Sequence, residues 1–181
     1  MKPETTRLRS EFEEVVRRGH ALAASLDDVA LMRRPAPASW SAAENLEHLS
    51  ATAATYNRRI RRRLDASSVS HSTSKEKTSI IGRMWLGLVE PPVRWRLKVP
   101  AAALQPGEIV SRDALLARFA ETHGTLIALL DESDAYDRMR VRIQTAFAKR
   151  ITVTLYDGFV VLAAHGRRHL LQAERAVRSS S

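Results

Sequence analysis

The segment TLYDGFVVLAAHGRRHLLQA, residues 154–173, predicts a helix whose apolar side carries two histidines. Thr154 and Asp157 are residue types that favour a helix N-terminus. The apolar face is defined by residues that recur at spacings of three and four: Leu155, Phe159, Leu162, Gly166, His169 and Ala173. His165 lies beside this stripe, one turn before His169, so the two imidazoles can converge on one point.

Three other segments, about 5–30, 41–64 and 111–130, show the same helical period. The end of the first is poorly defined, because Asp27 and Asp28 are unfavourable at the negative end of a helix dipole. Four amphipathic helices predict an all-α, up-and-down-type four-helix bundle. A chain of 181 residues suits one core, so the whole chain is expected to form a single domain.

The connection between the second and third helices is unusually long and is expected to be partly extended. Residues 66–79 are rich in Ser, Thr and Lys and predict a flexible loop. Residues 80–110 predict an arm that covers the bundle, with a short helix at 80–89 and an alternating, strand-like stretch at 93–99. Residues 178–181 are expected to be a disordered tail.

The composition excludes several classes of chemistry. Hydrophobic residues make up 44% of the chain, which is typical of a globular protein, and there is no cysteine. Disulfides, thiolate–metal sites and a protein cysteine nucleophile are therefore excluded. Neither a secretory leader nor a bilayer-spanning apolar run is recognisable, so we expect a cytoplasmic protein with no membrane partner.

The chain is strongly basic, with a formal net charge of +9 and a pI near 10.7. One dense basic run spans residues 58–63, near the end of a predicted helix, where cations suit the dipole. No aromatic residues interleave with it, as a single-strand binding platform would require. Nucleic acid is therefore not an expected partner.

The histidine pair has two interpretations from spacing alone. His165 and His169 could share a metal ion, and three protein nitrogens with an open position are typical of catalytic metal sites. They could equally be core histidines, each hydrogen-bonded to other side chains, because a buried imidazole needs partners. A pair four residues apart does not decide between these alternatives.

Two separated motifs resemble the DinB-like superfamily of four-helix-bundle proteins: WSAAENLEHL at residues 40–49 and AHGRRHLLQ at residues 164–172. The resemblance covers nearly the whole chain, including the order of the helices. It implies one divalent metal ion held by three histidines, which here are His48, His165 and His169. Imidazole suits Zn, Ni, Cu or Fe, and Zn or Ni is our leading expectation.

Four further residues are candidates for supporting or substrate-binding roles. Glu44 lies one turn before His48 and could orient it, although Glu44 also fits a capping box begun by the serine at position 41. His123 falls on the stripe of the third helix and could be a fourth ligand or a catalytic base, although a core or site-wall histidine is the leading expectation. Gln172 could reach the site as a hydrogen-bond donor, and Arg168 could steer an anionic substrate.

The expected function is that of a metal-dependent enzyme that activates a low-molecular-weight thiol or water. The resemblance implies thiol-dependent transferases or isomerases, or hydrolases. Since the chain has no cysteine, any sulfur nucleophile must come from a small-molecule substrate. The alternative is a non-enzymatic basic binding or stress-related scaffold protein. Self-association into a homodimer is compatible with either function.

Overall fold

The computed structural model describes residues 1–70, 75–90, 106–146 and 150–179. Its helices and strands, in chain order, are α1 Pro3–Ala24, α2 Asp28–Met32, α3 Ala42–Asp65, α4 Ile80–Val89, α5 Arg112–Glu132, a 3₁₀ turn at Ser133–Ala135, β1 Arg142–Gln144, β2 Thr152–Thr154 and α6 Leu155–Arg178. The all-α prediction is confirmed. The four predicted bundle helices correspond to α1, α3, α5 and α6.

Each long helix after the first begins at a side-chain cap. Ser41, Ser111 and Thr154 each accept a hydrogen bond from the backbone N–H three residues later. Such a bond satisfies one of the unpaired N–H groups at a helix start and typically contributes about 1 kcal/mol. Local sequence therefore determines where three of the four bundle helices begin.

The predicted first helix, residues 5–30, is wrong in its C-terminal third. The structure ends α1 at Ala24 and begins α2 at Asp28, with Asp27 as the N-cap of α2. The Asp27 carboxylate accepts from the Ala30 N–H at 2.7 Å. The two acids that are unfavourable at a helix end thus favour the start of a new helix.

The four long helices pack as a ring in which α1 and α3 lie diagonally opposite. α3 contacts α5 and α6, and α1 contacts the same two helices from the other side. Two apolar clusters fill the interior, one centred on Phe12, Ile60 and Phe159 and the other on Leu46 and Phe119. The pairing of α3 with α6 brings the two sequence motifs together.

Part of the long connection is anchored rather than flexible. α4 packs on α6, and the Asp157 carboxylate near the start of α6 accepts from Ser79 N–H at 2.9 Å and from Ser79 Oγ at 2.6 Å. Glu76 pairs with the guanidinium of the buried Arg138 at 2.6 and 2.7 Å. The predicted short helix is confirmed, whereas the predicted extended stretch at 93–99 lies outside the described residues.

The polar stretch between α5 and α6 contains a small antiparallel hairpin that the sequence did not indicate. Ile143 of β1 pairs with Val153 of β2, and both side chains are buried against the bundle. Strands of three residues are too short to show an alternating pattern. At the other end, α6 continues to Arg178, so the predicted tail begins later than residue 178.

No helix among the described parts of the chain is both long and apolar enough to cross a membrane.

Candidate metal centre

Three histidines converge in the interior between α3 and α6. His48 is on α3, and His165 and His169 lie one turn apart on α6. All three are buried, with 0%, 4% and 6% of their surface exposed. The Nε2 atoms of His48 and His165 are 3.1 Å apart, and one ring nitrogen from each histidine lies within 4.8 Å of the other two.

A hydrogen bond determines which nitrogen of His169 is available as a ligand. Nδ1 of His169 lies 3.0 Å from Oδ1 of Asn45, on α3. A carbonyl oxygen can only accept, so Nδ1 carries the proton and the lone pair is on Nε2. The Asn45 amide is itself oriented, because its Nδ2 donates to the Ser41 carbonyl at 2.8 Å. This arrangement is the one found around metal-ligating histidines.

Burial favours the neutral form of His165 and of His169. Burial lowers the pKa of His165 well below its ordinary value, and the neighbouring His48 and Arg168 lower this pKa further. Burial also lowers the pKa of His169, with added contributions from His165 and His48. A neutral imidazole has the free lone pair that a metal needs, whereas an imidazolium has none.

The donor set fits one metal ion. A tetrahedral ion with nitrogen ligands at roughly 2.0–2.1 Å holds those nitrogens about 3.3 Å apart. The 3.1 Å separation of the His48 and His165 Nε2 atoms is close to this value, and the third ring is within reach of a side-chain adjustment. Three imidazoles without a thiolate or carboxylate suit borderline cations such as Zn and Ni.

Trp40 covers one side of the cluster. Its ring centroid is 4.8 Å from that of His48 and 5.9 Å from that of His169, where the two rings are stacked. Trp40 immediately precedes Ser41, the N-cap of α3, so the cap geometry also positions the indole. A large apolar ring over the histidines limits the access of water from this direction.

Glu44 does not lie against His48. Its carboxylate completes the capping box by accepting from the Ser41 N–H at 2.9 Å. The same carboxylate forms a forked ion pair with Arg34, with Nε of Arg34 at 2.8 Å from Oε2. Both partners lie toward the start of α3, so the supporting role considered for Glu44 belongs to Asn45 instead.

His123 lies outside the three-histidine cluster. It is buried in α5, and its Nδ1 donates to the Phe119 carbonyl at 2.9 Å. Burial lowers the pKa of His123 to about 4. His123, Thr52 and His165 line a small cavity of about 10 Å³, roughly the size that one water molecule needs. The Thr52 hydroxyl is buried and makes no hydrogen bond with the described residues.

The two consecutive arginines of α6 differ sharply in their partners. Arg167 donates to both carboxylate oxygens of Glu90, at 3.1 and 2.6 Å, and also pairs with Glu11. Among the described residues, Arg168 donates only to the Leu88 carbonyl, at 3.0 Å, and its buried Nε has no hydrogen-bond acceptor there. Gln172, one turn after Arg168, is partly buried and makes no hydrogen bond within the described ranges.

The basic run at residues 58–63 is largely bound to the protein itself. Arg61 forms two bonds to Glu132, at 2.7 and 2.6 Å. Arg59 donates to the Gln144 carbonyl at 2.9 Å, and Arg63 donates to the Arg142 carbonyl at 2.6 Å. These arginines attach the C-terminal end of α3 to α5 and to the hairpin, which is a structural use of the charge.

Sequence reasoning missed Asn45, although a pattern for it was present. Asn45, His48 and Thr52 are polar residues of α3 that recur at spacings of three and four. Such spacing places them on one face, so they form a polar seam beside the apolar stripe. All three are buried in the structure.

The fold and site together define a helical bundle with a buried three-histidine cluster between the neighbouring helices α3 and α6. The profile of the DinB superfamily matches residues 11–173, so this chain belongs to that superfamily. The resemblance found in the two motifs is confirmed. Neither curated proteins nor solved structures give a significant match to the chain.

Proposed function

We propose that this protein is a metal-dependent enzyme that binds one divalent ion through His48, His165 and His169. The observation that carries the proposal is the convergence of three buried imidazoles whose ring nitrogens lie within 4.8 Å of one another. Nδ1 of His169 is already bonded to Asn45, which leaves the lone pair of its Nε2 for an ion. A shared ion would accept the lone pairs of all three rings, and Zn or Ni is the proposed occupant.

The proposed chemistry is activation of a low-molecular-weight thiol or of water. A divalent ion with an open position supplies Lewis-acid chemistry, which favours the anionic form of a thiol or water at neutral pH. Two residues near the cluster would support this chemistry. Asn45 holds the proton on Nδ1 of His169, and Trp40 shields the cluster from bulk water. With no cysteine in the sequence, the thiol would be a substrate.

Metal analysis of untagged protein tests the binding step. Wild-type protein is expected to retain about one ion per chain, and the His165→Ala/His169→Ala double variant is expected to lose it. His123→Ala is the matched control, because His123 is also buried but lies outside the cluster. Equal metal content in the wild type and the double variant would overturn the proposal.

Turnover assays distinguish the two reaction classes. Small thiols are supplied with a generic electrophile, with metal-loaded and metal-free protein compared, and ester or amide hydrolysis is measured in parallel. Thiol consumption that requires metal supports a transferase or isomerase, whereas metal-dependent hydrolysis without thiol supports activation of water. Metal-loaded protein that turns over neither substrate class would favour a non-enzymatic binding or scaffold role.

A further inference from the structure

Arg168 is a partly buried cation without a carboxylate partner beside the histidine cluster. Its Nη1 donates to the Leu88 carbonyl at 3.0 Å, near the end of α4. Its Nε is buried and has no acceptor in the described part of the chain. The preceding residue, Arg167, is neutralised by two glutamates, so the lack of a partner is particular to Arg168.

No acidic side chain of this chain pairs with Arg168. Every Asp and Glu of the sequence falls within the described residues, since the stretches 71–74, 91–105, 147–149 and 180–181 contain neither. None of the ion pairs within the described ranges includes Arg168. Removing a charge from water without a counter-charge is costly, so an anion from outside the chain would stabilise this guanidinium.

The free edge of Arg168 has a definite shape. Nη1 is engaged by Leu88 and Nε is enclosed by the protein, so an approaching ligand meets Nη2–H first, on the edge that it shares with Nε–H. Two parallel N–H groups on one edge match the two oxygens of a carboxylate, which is the geometry of bidentate Arg–carboxylate pairs. A single guanidinium also balances the single charge of a carboxylate.

The Arg168 side chain lies beside the histidine cluster, which is the proposed reaction site. Arg168 directly precedes His169 on α6 and follows His165 by three residues, so it lies at the border of the histidine cluster. Its positive charge is near enough to act on both imidazoles. A small molecule held at Arg168 would therefore have its other end close to the three ring nitrogens.

We propose that Arg168 binds the carboxylate of the substrate, so that the site takes small carboxylate-bearing molecules whose reacting group lies at the histidine cluster. This inference rests on the proposed function, which it deepens by naming the substrate class. Arg168 is then a specificity-determining residue. Arg167, which is paired with Glu90 and Glu11, is not.

Two thiols of equal length test the proposal: 3-mercaptopropionate and 3-mercapto-1-propanol, which has a hydroxyl group in place of the carboxylate. Each is titrated into Zn-loaded protein while the Nε–H resonance of Arg168 is followed by NMR. The acid is expected to shift this resonance and to bind about tenfold more tightly than the alcohol. Arg168→Gln should reduce the ratio of the two affinities to about one, and Arg168→Lys should leave an intermediate ratio.

Arg167→Gln is the matched control and should keep the tenfold preference for the acid. Equal affinities for the two thiols in the wild type, or a tenfold preference that persists in Arg168→Gln, would overturn the proposal. Titration of 3-mercaptopropionate into metal-free protein tests the carboxylate site at Arg168 independently of the proposed metal-dependent function. If the protein retains no Zn, the proposed function fails, but a shift of the Arg168 resonance still supports the carboxylate site and an unshifted resonance rejects it.

Discussion

Asn45 of α3 accepts a hydrogen bond from Nδ1 of His169 on α6, with 3.0 Å between Oδ1 and the ring nitrogen. This single bond joins the two helices that carry the candidate ligands, and it also selects the tautomer of one of them. The amide in turn donates to the Ser41 carbonyl, so the N-cap region of α3 and the histidine cluster form one connected unit. Partners of this kind raise the basicity of a ligand and fix the orientation of its ring.

Replacing Asn45 with leucine is expected to weaken metal binding by roughly 10–100-fold, since the ring of His169 loses its orienting acceptor. Asn45→Asp keeps the acceptor and should retain affinity within a few-fold of the wild type. Competition with a chelator of known affinity measures both variants. Glu44→Gln is a useful control, because Glu44 lies on the same helix but contacts Arg34 and Ser41 instead of the cluster. Unchanged affinity in Asn45→Leu would contradict the assigned role.

Gly166 allows α1 and α6 to approach closely next to the histidines. A Cβ at this position would lie 2.9 Å from Cγ2 of Val15. Gly166→Ala is therefore expected to lower the free energy of unfolding by about 1–3 kcal/mol, despite the better helix propensity of alanine. Adding Val15→Ala should relieve the clash with the new methyl group and so restore part of the lost free energy of unfolding.

Gly124 of α5 provides the opposite case, because no atom lies within 4 Å of the position that its Cβ would occupy. Gly124→Ala should raise the free energy of unfolding by up to about 1 kcal/mol. Urea denaturation of the three variants measures both effects. Similar shifts for Gly166→Ala and Gly124→Ala would rule out the close approach of α1 and α6.

Buried histidines make the metal-free protein sensitive to acid. Burial lowers the pKa of His123 to about 4, below its ordinary value of 6.5. The unfolded chain therefore binds the proton first as the pH falls. The stabilising contribution is complete above about pH 6.5 and is lost between that value and about pH 4, with a slope of up to about 1.4 kcal/mol per pH unit. The pKa values of His165 and His169 are also lowered, so these residues likewise make the folded protein less stable as the pH falls.

His123→Gln should make this loss of stability shallower, because one of the three groups no longer titrates. Urea unfolding of metal-free wild type and variant, measured at several pH values between 4 and 7, gives the two slopes. Identical slopes would show that His123 is accessible to protons in the folded state.

The ion pair between Glu76 and Arg138 should be important for stability. Arg138 is fully buried, and Glu76 accepts from both its Nε and its Nη2. Glu76→Gln leaves a buried guanidinium poorly compensated and is expected to cost about 3–5 kcal/mol. Glu14→Gln removes the partner of Arg17 in an exposed pair and should change the stability far less, because water screens that pair. Thermal denaturation of the two variants measures the difference. Equal decreases in the midpoint temperature of unfolding would contradict the importance of the Glu76–Arg138 pair.

The basic run of α3 should not bind duplex DNA specifically. If it neutralised phosphates, the log–log slope of affinity against salt would be about −0.9 for each phosphate contacted. We expect no retention on duplex DNA at low salt, since three of the arginines are bound to the protein itself. Steep salt dependence that disappears in the Arg59, Arg62 and Arg63 variants would contradict this expectation.

Local chemistry in the sequence predicted the long helices and the pairing of His165 with His169, whereas His48 was implied by the resemblance to the DinB-like superfamily. The stripe of α6, the capping residues Ser41, Ser111 and Thr154, and the spacing of His165 and His169 depend on neighbours within about one turn. Reasoning from such near neighbours was less successful for two features of the fold. A hairpin of three-residue strands has too little alternation to be recognised, and the break after α1 depends on a cap within a continuous apolar stripe.

Tertiary structure alone decided how the candidate site is assembled. His48 and His165 are separated by 117 residues in sequence but have Nε2 atoms 3.1 Å apart, because α3 packs against α6 in one particular register. The choice of Asn45 over Glu44 beside the cluster, and the difference between Arg167 and Arg168, follow from that same register. The reason is physical. Helical periodicity specifies which face a side chain occupies, whereas its partner across the interface depends on how whole helices slide and rotate to fill the core.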